Sequence, residues 1–231
     1  MSLPECPLVL LPGLHGSVRL FDPLVRRLRG SFPGGVFLPL PLPSAGGQDY
    51  PTLLAHFVGR LEKQGPLILL GESFSAPLAI MLAASPRLRV ERLILAAGFA
   101  GPPRALGFSV LPLRSLLELR PPKPAIRRLL AGERAPEPLV AAVRTELQAA
   151  RGRLLAARIR VALALGDHDV PSPAVPTLLL QARADAILPW EVQAALERHL
   201  PAAETVWVQG PHLLLQAAPE ECAEAIARFL A

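Results

Sequence analysis

The sequence predicts an α/β fold, in which a mostly parallel sheet is covered by helices on both faces. Two observations lead to this prediction. Short apolar runs alternate along the chain with longer segments of helical periodicity, which is the pattern of parallel strands joined by helices. In addition, 51% of the 231 residues are hydrophobic, which is enough for one well-buried core. We therefore expect a single domain.

The predicted strands are six apolar runs, at residues 7–11, 36–40, 66–70, 90–97, 177–181 and 205–209. Between the second and third runs, apolar side chains recur at the spacing of one helix face, and Gly65 is placed to end that helix. The final segment, PEECAEAIARFL, follows the same pattern and starts at Pro219. The apolar stripes of these two helices are Leu53, Leu54, Phe57, Val58 and Leu61, and Cys222, Ile226, Phe229 and Leu230.

The alternation of strands and helices stops between residues 101 and 164, where Pro pairs, Arg-rich stretches and leucines predict several short helices. We interpret this segment as a helical cap inserted into the single domain, because its Leu and Ala content is too high for a disordered linker. Residues 101–160 contain eleven Arg and one Lys against four Glu, a net charge of +8, whereas the whole chain carries +5. The basic excess is therefore local.

Composition argues against several classes of protein. No apolar run reaches the roughly 18 residues of a membrane-spanning helix, and the apolar start lacks the flanking features of a signal peptide. We therefore expect a cytoplasmic protein without membrane contact. Cys6 and Cys222 lie at opposite ends of the chain without a CxxC pattern, so neither a disulfide framework nor a metal site is expected. His168 lies in GDHDVP, but three consecutive residues rarely all face one ion.

The segment LILLGESFSAPLAIML carries the strongest chemical signal. It combines a buried strand, a sharp glycine-bounded turn and a helix that is apolar on nearly every side, which is the setting of a nucleophile elbow. Such a turn lifts the hydroxyl of Ser73 clear of the sheet, and the helix points its N-terminal amides at developing negative charge. Gly71 and Ser75 must be small so that the turn can approach neighbouring backbone. In the alternative interpretation, Ser73 only caps the helix.

Two loop amides are candidates for an oxyanion hole. The first apolar run ends in LLPGLHGS, a glycine-containing loop directly after a strand, and in this kind of site the residue after the nucleophile supplies the other donor. That other donor is the amide of Phe74. In the loop, Leu14 is the favoured donor, because Pro12-Gly13 occupies the place usually held by a His-Gly pair. If His15-Gly16 is itself taken as that pair, the donor is Ser17 instead. His15 itself is expected at the pocket entrance.

A general base, and an acid that orients it, must accompany the serine. His212 follows the strand-like TVWVQGP and Asp185 follows PTLLLQA, so both lie in loops at the carboxyl edge of the predicted sheet, where ligands bind in open α/β folds. The chain order Ser73, Asp185, His212 is also the order of this kind of site. The competing acids and histidines fall in predicted turns or amphipathic helices; these are Asp167, Asp169, His56 and His199.

Four motifs, taken in order, resemble those of the α/β-hydrolase superfamily, and most of all those of small bacterial serine hydrolases. They are an LLPGLDG-type loop, a GESFSG-type elbow, an ARxDxxxP-like acid segment and a GPHxLLQ-type histidine. The likeness spans the chain except for the cap, with Ser75 in place of the general elbow Gly and His15 in place of a frequent Asp. It implies an α/β-hydrolase fold with a shortened sheet of about six strands, beginning at the counterpart of the superfamily's third strand. It also implies Ser73 as nucleophile, His212 as base and Asp185 as orienting acid, with no cofactor.

The resemblance implies hydrolysis of a small-molecule carboxylic ester through an acyl-enzyme. Two alternatives remain open. The arginine-rich cap could dock an acidic carrier protein, in which case the substrate is an ester or thioester on that carrier, or the pocket could capture a ligand without cleaving it. Nucleic-acid binding is not expected, because the basic excess lacks interleaved aromatic residues. Nothing in the sequence indicates an oligomeric state.

Overall fold

The computed structural model describes residues 6–103, 121–150, 152–166 and 168–231. Two sequence predictions fall partly or wholly outside these ranges. Residues 104–120 of the predicted cap and the competing acid Asp167 lie outside the described residues.

The centre of the protein is a six-stranded sheet in the order β2-β1-β3-β4-β5-β6, with every neighbouring pair parallel. The predicted α/β fold with about six strands is confirmed, and each strand begins and ends within two residues of its predicted bounds. The strands are β1 (Leu8–Leu11), β2 (Phe37–Pro39), β3 (Pro66–Glu72), β4 (Arg89–Ala96), β5 (Thr177–Ala182) and β6 (Glu204–Val208).

Helices pack on both faces of the sheet, as expected for parallel strands joined by helical connections. The predicted helix before β3 is α2, and Gly65 beyond its end has a φ of +75°. The helices of the described residues are α1 (Asp22–Ser31), α2 (Tyr50–Leu61), α3 (Ser75–Ala83), α4 (Lys123–Ile126), α5 (Glu137–Ala149), α6 (Gly152–Leu163), α7 (Trp190–His199), α8 (Leu214–Ala217) and α9 (Pro219–Leu230). A 3-10 turn, Arg19–Phe21, precedes α1, and a π-helical turn, Arg127–Ala131, continues α4.

The core consists of two apolar clusters, one on each face of the sheet. Because successive strand side chains point to opposite faces, Leu8 of β1 belongs to one cluster and Val9 to the other. The first cluster is closed by α1 and α9, and the second by α2, α3 and α7. Both faces of the central strands are therefore buried, which explains why these strands are apolar throughout instead of alternating with polar residues.

The helices α4, α5 and α6, called the cap helices below, lie between β4 and β5 in the chain and over the carboxyl edge of the sheet. They occupy the described part of the segment predicted as a cap. Ile126, Val140 and Val143 form a separate apolar cluster with Leu20 and Leu213, so the cap helices pack onto the loops at this edge. Across the described ranges, no helix has both the length and the apolar character needed to cross a bilayer.

Candidate active site

Ser73 lies in the sharp turn between β3 and α3. Its φ is +49°, in the left-handed region that non-glycine residues rarely adopt, and its amide donates a 2.9 Å hydrogen bond to the Ala96 carbonyl. The turn leaves no room beside Gly71, where an added Cβ would lie 2.6 Å from the Ser75 carbonyl oxygen and 2.7 Å from the Ala79 Cβ. The small residue that the sequence predicts at this position is therefore required by close backbone approach.

Ser75 stands where the general elbow motif has glycine, and the structure gives a reason. Its buried hydroxyl donates a 2.6 Å hydrogen bond to the carbonyl oxygen of Pro12. The first turn of α3 is thereby tied to the loop that follows β1. A glycine at this position would leave the Pro12 carbonyl without this partner.

The structure brings Ser73, His212 and Asp185 together from three separate loops. The Ser73 Oγ lies 2.9 Å from His212 Nε2, and His212 Nδ1 lies 2.8 Å from Asp185 Oδ2. The other oxygen of Asp185 accepts hydrogen bonds from the amides of Ile187 and Leu188, each 2.8 Å long. A carboxylate held in this way accepts a hydrogen bond from the Nδ1–H group, which leaves Nε2 unprotonated and able to accept the serine hydroxyl proton.

The competing acid and histidines are placed elsewhere. Asp169 accepts a 2.6 Å hydrogen bond from the Gly166 amide within a turn, in line with the structural role predicted for it. His199 contacts the Pro171 carbonyl at 3.0 Å on the surface, and His56 is exposed on α2 with its ring against Phe57. None of these side chains reaches Ser73.

The oxyanion-hole candidates lie in the loop after β1 and at the start of α3. The carbonyl of Gly13 accepts a 2.9 Å hydrogen bond from the Gly16 amide, which closes a tight turn around Leu14. Among the described residues, the amides of Leu14 and Phe74 have no hydrogen-bond acceptor. The amide of Ser17, the alternative donor, is already bonded to His15 Nδ1 at 3.1 Å. Both favoured amides are thus free to bind a ligand oxygen.

Glu72 is a buried carboxyl at the floor of the site that the sequence analysis did not single out. One oxygen accepts from the Gly13 amide at 3.2 Å and the other from Gln216 Nε2 at 2.8 Å. Burial raises the pKa of Glu72, and these hydrogen bonds partly oppose the rise. The available sequence signal was a lone charged residue at the end of an apolar strand, one position before the serine.

His15 is buried beside Glu72 and keeps an uncharged ring at neutral pH. Burial, together with the nearby charge of Arg158, lowers the pKa of His15 to about 4. Its Nδ1 accepts from the Ser17 amide, so the ring proton resides on Nε2, which lies 4.0 Å from a Glu72 oxygen. This imidazole is therefore part of the loop's own structure, beneath the turn at Leu14.

Arg158 of α6 is the second residue that sequence reasoning missed. It is completely buried and donates hydrogen bonds to the Leu14 carbonyl at 2.7 Å, the Pro43 carbonyl at 2.9 Å and Gln48 Oε1 at 2.9 Å. Burial lowers the pKa of Arg158 to about 10, so the guanidinium remains charged at neutral pH. No sequence pattern distinguished this arginine from the ten others between residues 101 and 160.

A cavity of about 590 Å³ lies between the cap helices and the carboxyl edge of the sheet. Its floor holds Ser73, His212 and the loop around Leu14, and its roof is largely aliphatic. The cap side chains that line it include Ile126, Leu129, Leu147, Leu155 and Ile159. Within the described part of the chain, no cluster of three or more His, Cys, Asp or Glu side chains could hold a metal ion.

Comparisons with known proteins identify the family and the fold of this chain. Residues 8–225 match the model of a family described as the alpha/beta hydrolase family, whereas no curated protein sequence matches the chain. A lipase-esterase related protein from Clostridium acetobutylicum superposes with a TM-score of 0.79 at 14% identity, over 96% of this chain and 93% of that one.

Two further solved structures have the same fold. The enol-lactonase from Burkholderia xenovorans has a TM-score of 0.77 at 18% identity, over 98% of this chain and 92% of that one. A thermophilic esterase from Thermogutta terrifontis has a TM-score of 0.72 at 21% identity, over 100% and 92% of the two chains. The superfamily that the four motifs predicted is confirmed by the family match, and this chain belongs to the alpha/beta hydrolase family.

Proposed function

We propose that this protein is a serine hydrolase that cleaves carboxylic esters through an acyl-enzyme. The observation that carries the proposal is the continuous hydrogen-bonded chain from Ser73 through His212 to Asp185, at the floor of the apolar cavity. The same three groups in this arrangement perform nucleophilic catalysis on many folds. The amides of Leu14 and Phe74, which have no acceptor among the described residues, support the same chemistry.

In the proposed mechanism, His212 Nε2 takes the hydroxyl proton as Ser73 Oγ bonds to the ester carbonyl carbon and the carbonyl π electrons move to oxygen. The amides of Leu14 and Phe74 donate to this oxyanion, and Asp185 stabilises the imidazolium. Collapse of the intermediate breaks the bond to the alcohol oxygen, which leaves with the proton from His212. Water, deprotonated by His212, then attacks the acyl-enzyme, releases the carboxylic acid and restores Ser73.

The proposed substrate is a small ester with an apolar acyl or alcohol group. The aliphatic roof formed by side chains such as Leu129 and Leu147 favours burial of hydrocarbon, at about 0.8 kcal/mol per buried methylene. The similar structures of an esterase and an enol-lactonase support a carboxylic ester as the bond that is cleaved. Each step uses protein groups and water alone.

The test compares Ser73→Ala with wild type and with Ser85→Ala, a control at a partly exposed serine just beyond α3. Wild type and the control should hydrolyse p-nitrophenyl butyrate and be labelled by a fluorophosphonate probe, whereas Ser73→Ala should do neither and keep its circular dichroism spectrum. If folded wild type is neither labelled nor active, the site is a ligand-binding pocket without catalysis. Turnover retained by Ser73→Ala would refute the assignment of the nucleophile.

A second candidate function is hydrolysis of an acyl group attached to an acidic carrier protein. The observation that favours it is a second cavity of about 810 Å³ beside the cap helices, whose lining includes Arg19, Arg26, Arg128 and Arg134. Two other cap cations, Lys123 and Arg127, pair with Glu137. The lining of the second cavity also holds the carboxyls of Asp22 and Glu133, so its four arginines give it a net positive charge. An acidic partner would therefore bind at this second cavity.

The carrier candidate predicts a substrate-dependent effect of charge reversal. Arg128→Glu combined with Arg134→Glu should weaken turnover of an acyl-carrier substrate by ~10-fold or more, through KM, while p-nitrophenyl butyrate turnover stays unchanged. Arg60→Glu combined with Arg198→Glu, on the distant helices α2 and α7, is the matched control. An equal loss on both substrates, or failure of wild type to hydrolyse the carrier substrate, would exclude this candidate.

A further inference from the structure

The loop around Leu14 is held by three successive peptide groups with different partners. In the first, the Pro12 carbonyl accepts from the Ser75 hydroxyl and the Gly13 amide donates to Glu72. In the second, the Gly13 carbonyl accepts from the Gly16 amide, and the Leu14 amide on the other side is free. In the third, the Leu14 carbonyl accepts from Arg158 Nη1 at 2.7 Å.

Only the third of these peptide groups is held by a residue of the cap. The first peptide group is fixed by Ser75 and Glu72 of the elbow, and the second by the Gly16 amide of the loop. These contacts hold the free Leu14 amide from its N-terminal side. The Arg158 guanidinium fixes the other side, and it also holds the Pro43 carbonyl across the loop. Without this contact, the Leu14–His15 peptide could rotate, and the turn that aims the Leu14 amide would lose its second anchor.

The buried position of Arg158 carries a desolvation free energy that a residue serving only to attach the cap would not need to overcome. Burying a cation without a paired carboxylate is unfavourable, and the three acceptors that Arg158 meets among the described residues are all neutral. A methionine or leucine could fill the same volume without this cost. The positive charge of Arg158 lies behind the loop, where it can stabilise negative charge that develops on an oxygen bound in front of the loop.

Gly16 lies directly against this guanidinium. Its φ is +75°, and an added Cβ would collide with Arg158 Nη1. The loop residue and the cap residue are therefore fitted to each other, although they are far apart in sequence.

From these contacts we infer that Arg158 is a positioning residue of the oxyanion hole, which holds the Leu14 carbonyl so that the Leu14 amide points at the reacting carbonyl oxygen. The inference rests on the proposed serine hydrolase function. It predicts that Arg158 contributes to stabilisation of the tetrahedral intermediate more than to binding of the ester itself. A role confined to attaching the cap would alter stability or substrate binding instead.

The experiment compares Arg158→Gln and Arg158→Lys with Arg160→Gln, which removes the same charge from an exposed position on α6. For p-nitrophenyl butyrate, Arg158→Gln should lower kcat by ~10–100-fold with KM changed by less than about threefold, since loss of one oxyanion donor costs about 10²–10³-fold. Arg158→Lys, which keeps the charge and one contact at a time, should retain an intermediate kcat. Arg160→Gln should match wild type.

A second readout separates positioning from attachment of the cap. An alkyl trifluoromethyl ketone forms a tetrahedral oxyanion adduct with a serine, so its affinity should fall by the same factor as kcat/KM, whereas binding of the matching secondary alcohol should not change. If Arg158→Gln lowers the Tm but leaves kcat and trifluoromethyl ketone affinity unchanged, the inference is wrong. If Arg158→Gln does not fold, an Arg158→Lys protein with wild-type kcat and ketone affinity overturns it equally. Fluorophosphonate labelling of wild type decides the proposed function independently.

Discussion

At the scale of single residues, Ser73 combines strain with function. Its φ of +49° costs about 1–2 kcal/mol relative to an ordinary conformation. The hydrogen bond from its amide to the Ala96 carbonyl and the start of α3 two residues later hold the residue in that state. The strain is thus maintained by the two elements that the turn joins.

This strain predicts that Ser73→Gly is more stable than Ser73→Ala, by about 1 kcal/mol, because glycine adopts positive φ without steric cost. The free energy of unfolding in urea measures the difference. At Ser85, which is not at positive φ, the same pair of substitutions should show no advantage for glycine. Equal stability of the two Ser73 variants would mean that the turn relaxes when the hydroxyl is removed.

His15 predicts a pH dependence of stability. Its pKa is lowered from 6.5 to about 4 by burial and by the charge of Arg158, so between these values the unfolded chain binds a proton that the folded chain excludes. The contribution to the free energy of unfolding is complete above pH 6.5 and is lost as the pH falls towards 4, by up to roughly 3 kcal/mol. His15→Asn keeps an acceptor for the Ser17 amide and should remove this slope.

Urea unfolding of both proteins at pH 4, 5, 6 and 7 checks the prediction. The raised pKa of Glu72 acts in the opposite direction in both proteins, since a carboxyl of this kind favours folding at low pH. The difference between the two curves therefore reports the imidazole. Parallel curves would show that His15 takes up its proton in the folded state.

At the scale of elements, the contact between β3 and α3 depends on Gly71. A Cβ at this position would meet the Ser75 carbonyl at 2.6 Å and the Ala79 side chain at 2.7 Å, and backbone atoms cannot move aside as a flexible side chain can. Gly71→Ala should destabilise the protein by several kcal/mol, about 3 or more, and reduce activity in any protein that remains folded.

The matched substitution is Gly59→Ala in α2, where an added Cβ would meet no atom within 4 Å. Because alanine favours the helix relative to glycine, this change should stabilise the protein by about 0.5–1 kcal/mol. Thermal unfolding of the two variants tests both the predicted loss of stability in Gly71→Ala and the predicted gain in Gly59→Ala. A stable Gly71→Ala protein would show that α3 can move away from the strand.

The elements were predictable from sequence because their signals are local. Each strand is a short apolar run, and parallel strands bring their carboxyl ends to one edge, so Ser73, Asp185 and His212 could be expected to meet there. The role of the Ser75 hydroxyl was not predictable, since its acceptor is a backbone carbonyl 63 residues away. Arg158 was hidden for the same reason, because its contact with Leu14 spans 144 residues.

At the scale of the whole molecule, the cavity exists only because the cap helices and the sheet edge face each other. Leu129 of the π-helical turn lines this cavity and remains 37% exposed, so a larger side chain can be accommodated there without disturbing the core. Leu129→Trp should therefore shorten the cavity. We expect at least ~10-fold lower kcat/KM for p-nitrophenyl octanoate and little change for the acetate.

The control for this prediction is Leu154→Trp on α6, a partly exposed residue outside the lining of either cavity. It should leave the preference for acyl-chain length unchanged. A uniform loss across all chain lengths in Leu129→Trp would indicate that the hydrocarbon binds elsewhere.

The pairing of Gly16 with Arg158 bears on how such a protein can be recombined. The cap helices pack onto the rest of the molecule partly through an apolar cluster, and apolar packing tolerates exchange of side chains of similar volume. In this protein a grafted cap would also have to place a guanidinium at the Leu14 carbonyl. A cap without that arginine would leave an empty space beside Gly16, where the guanidinium of Arg158 lies. Chimeras that transplant residues 121–163 alone should therefore fail more often than chimeras that carry residues 12–17 with them.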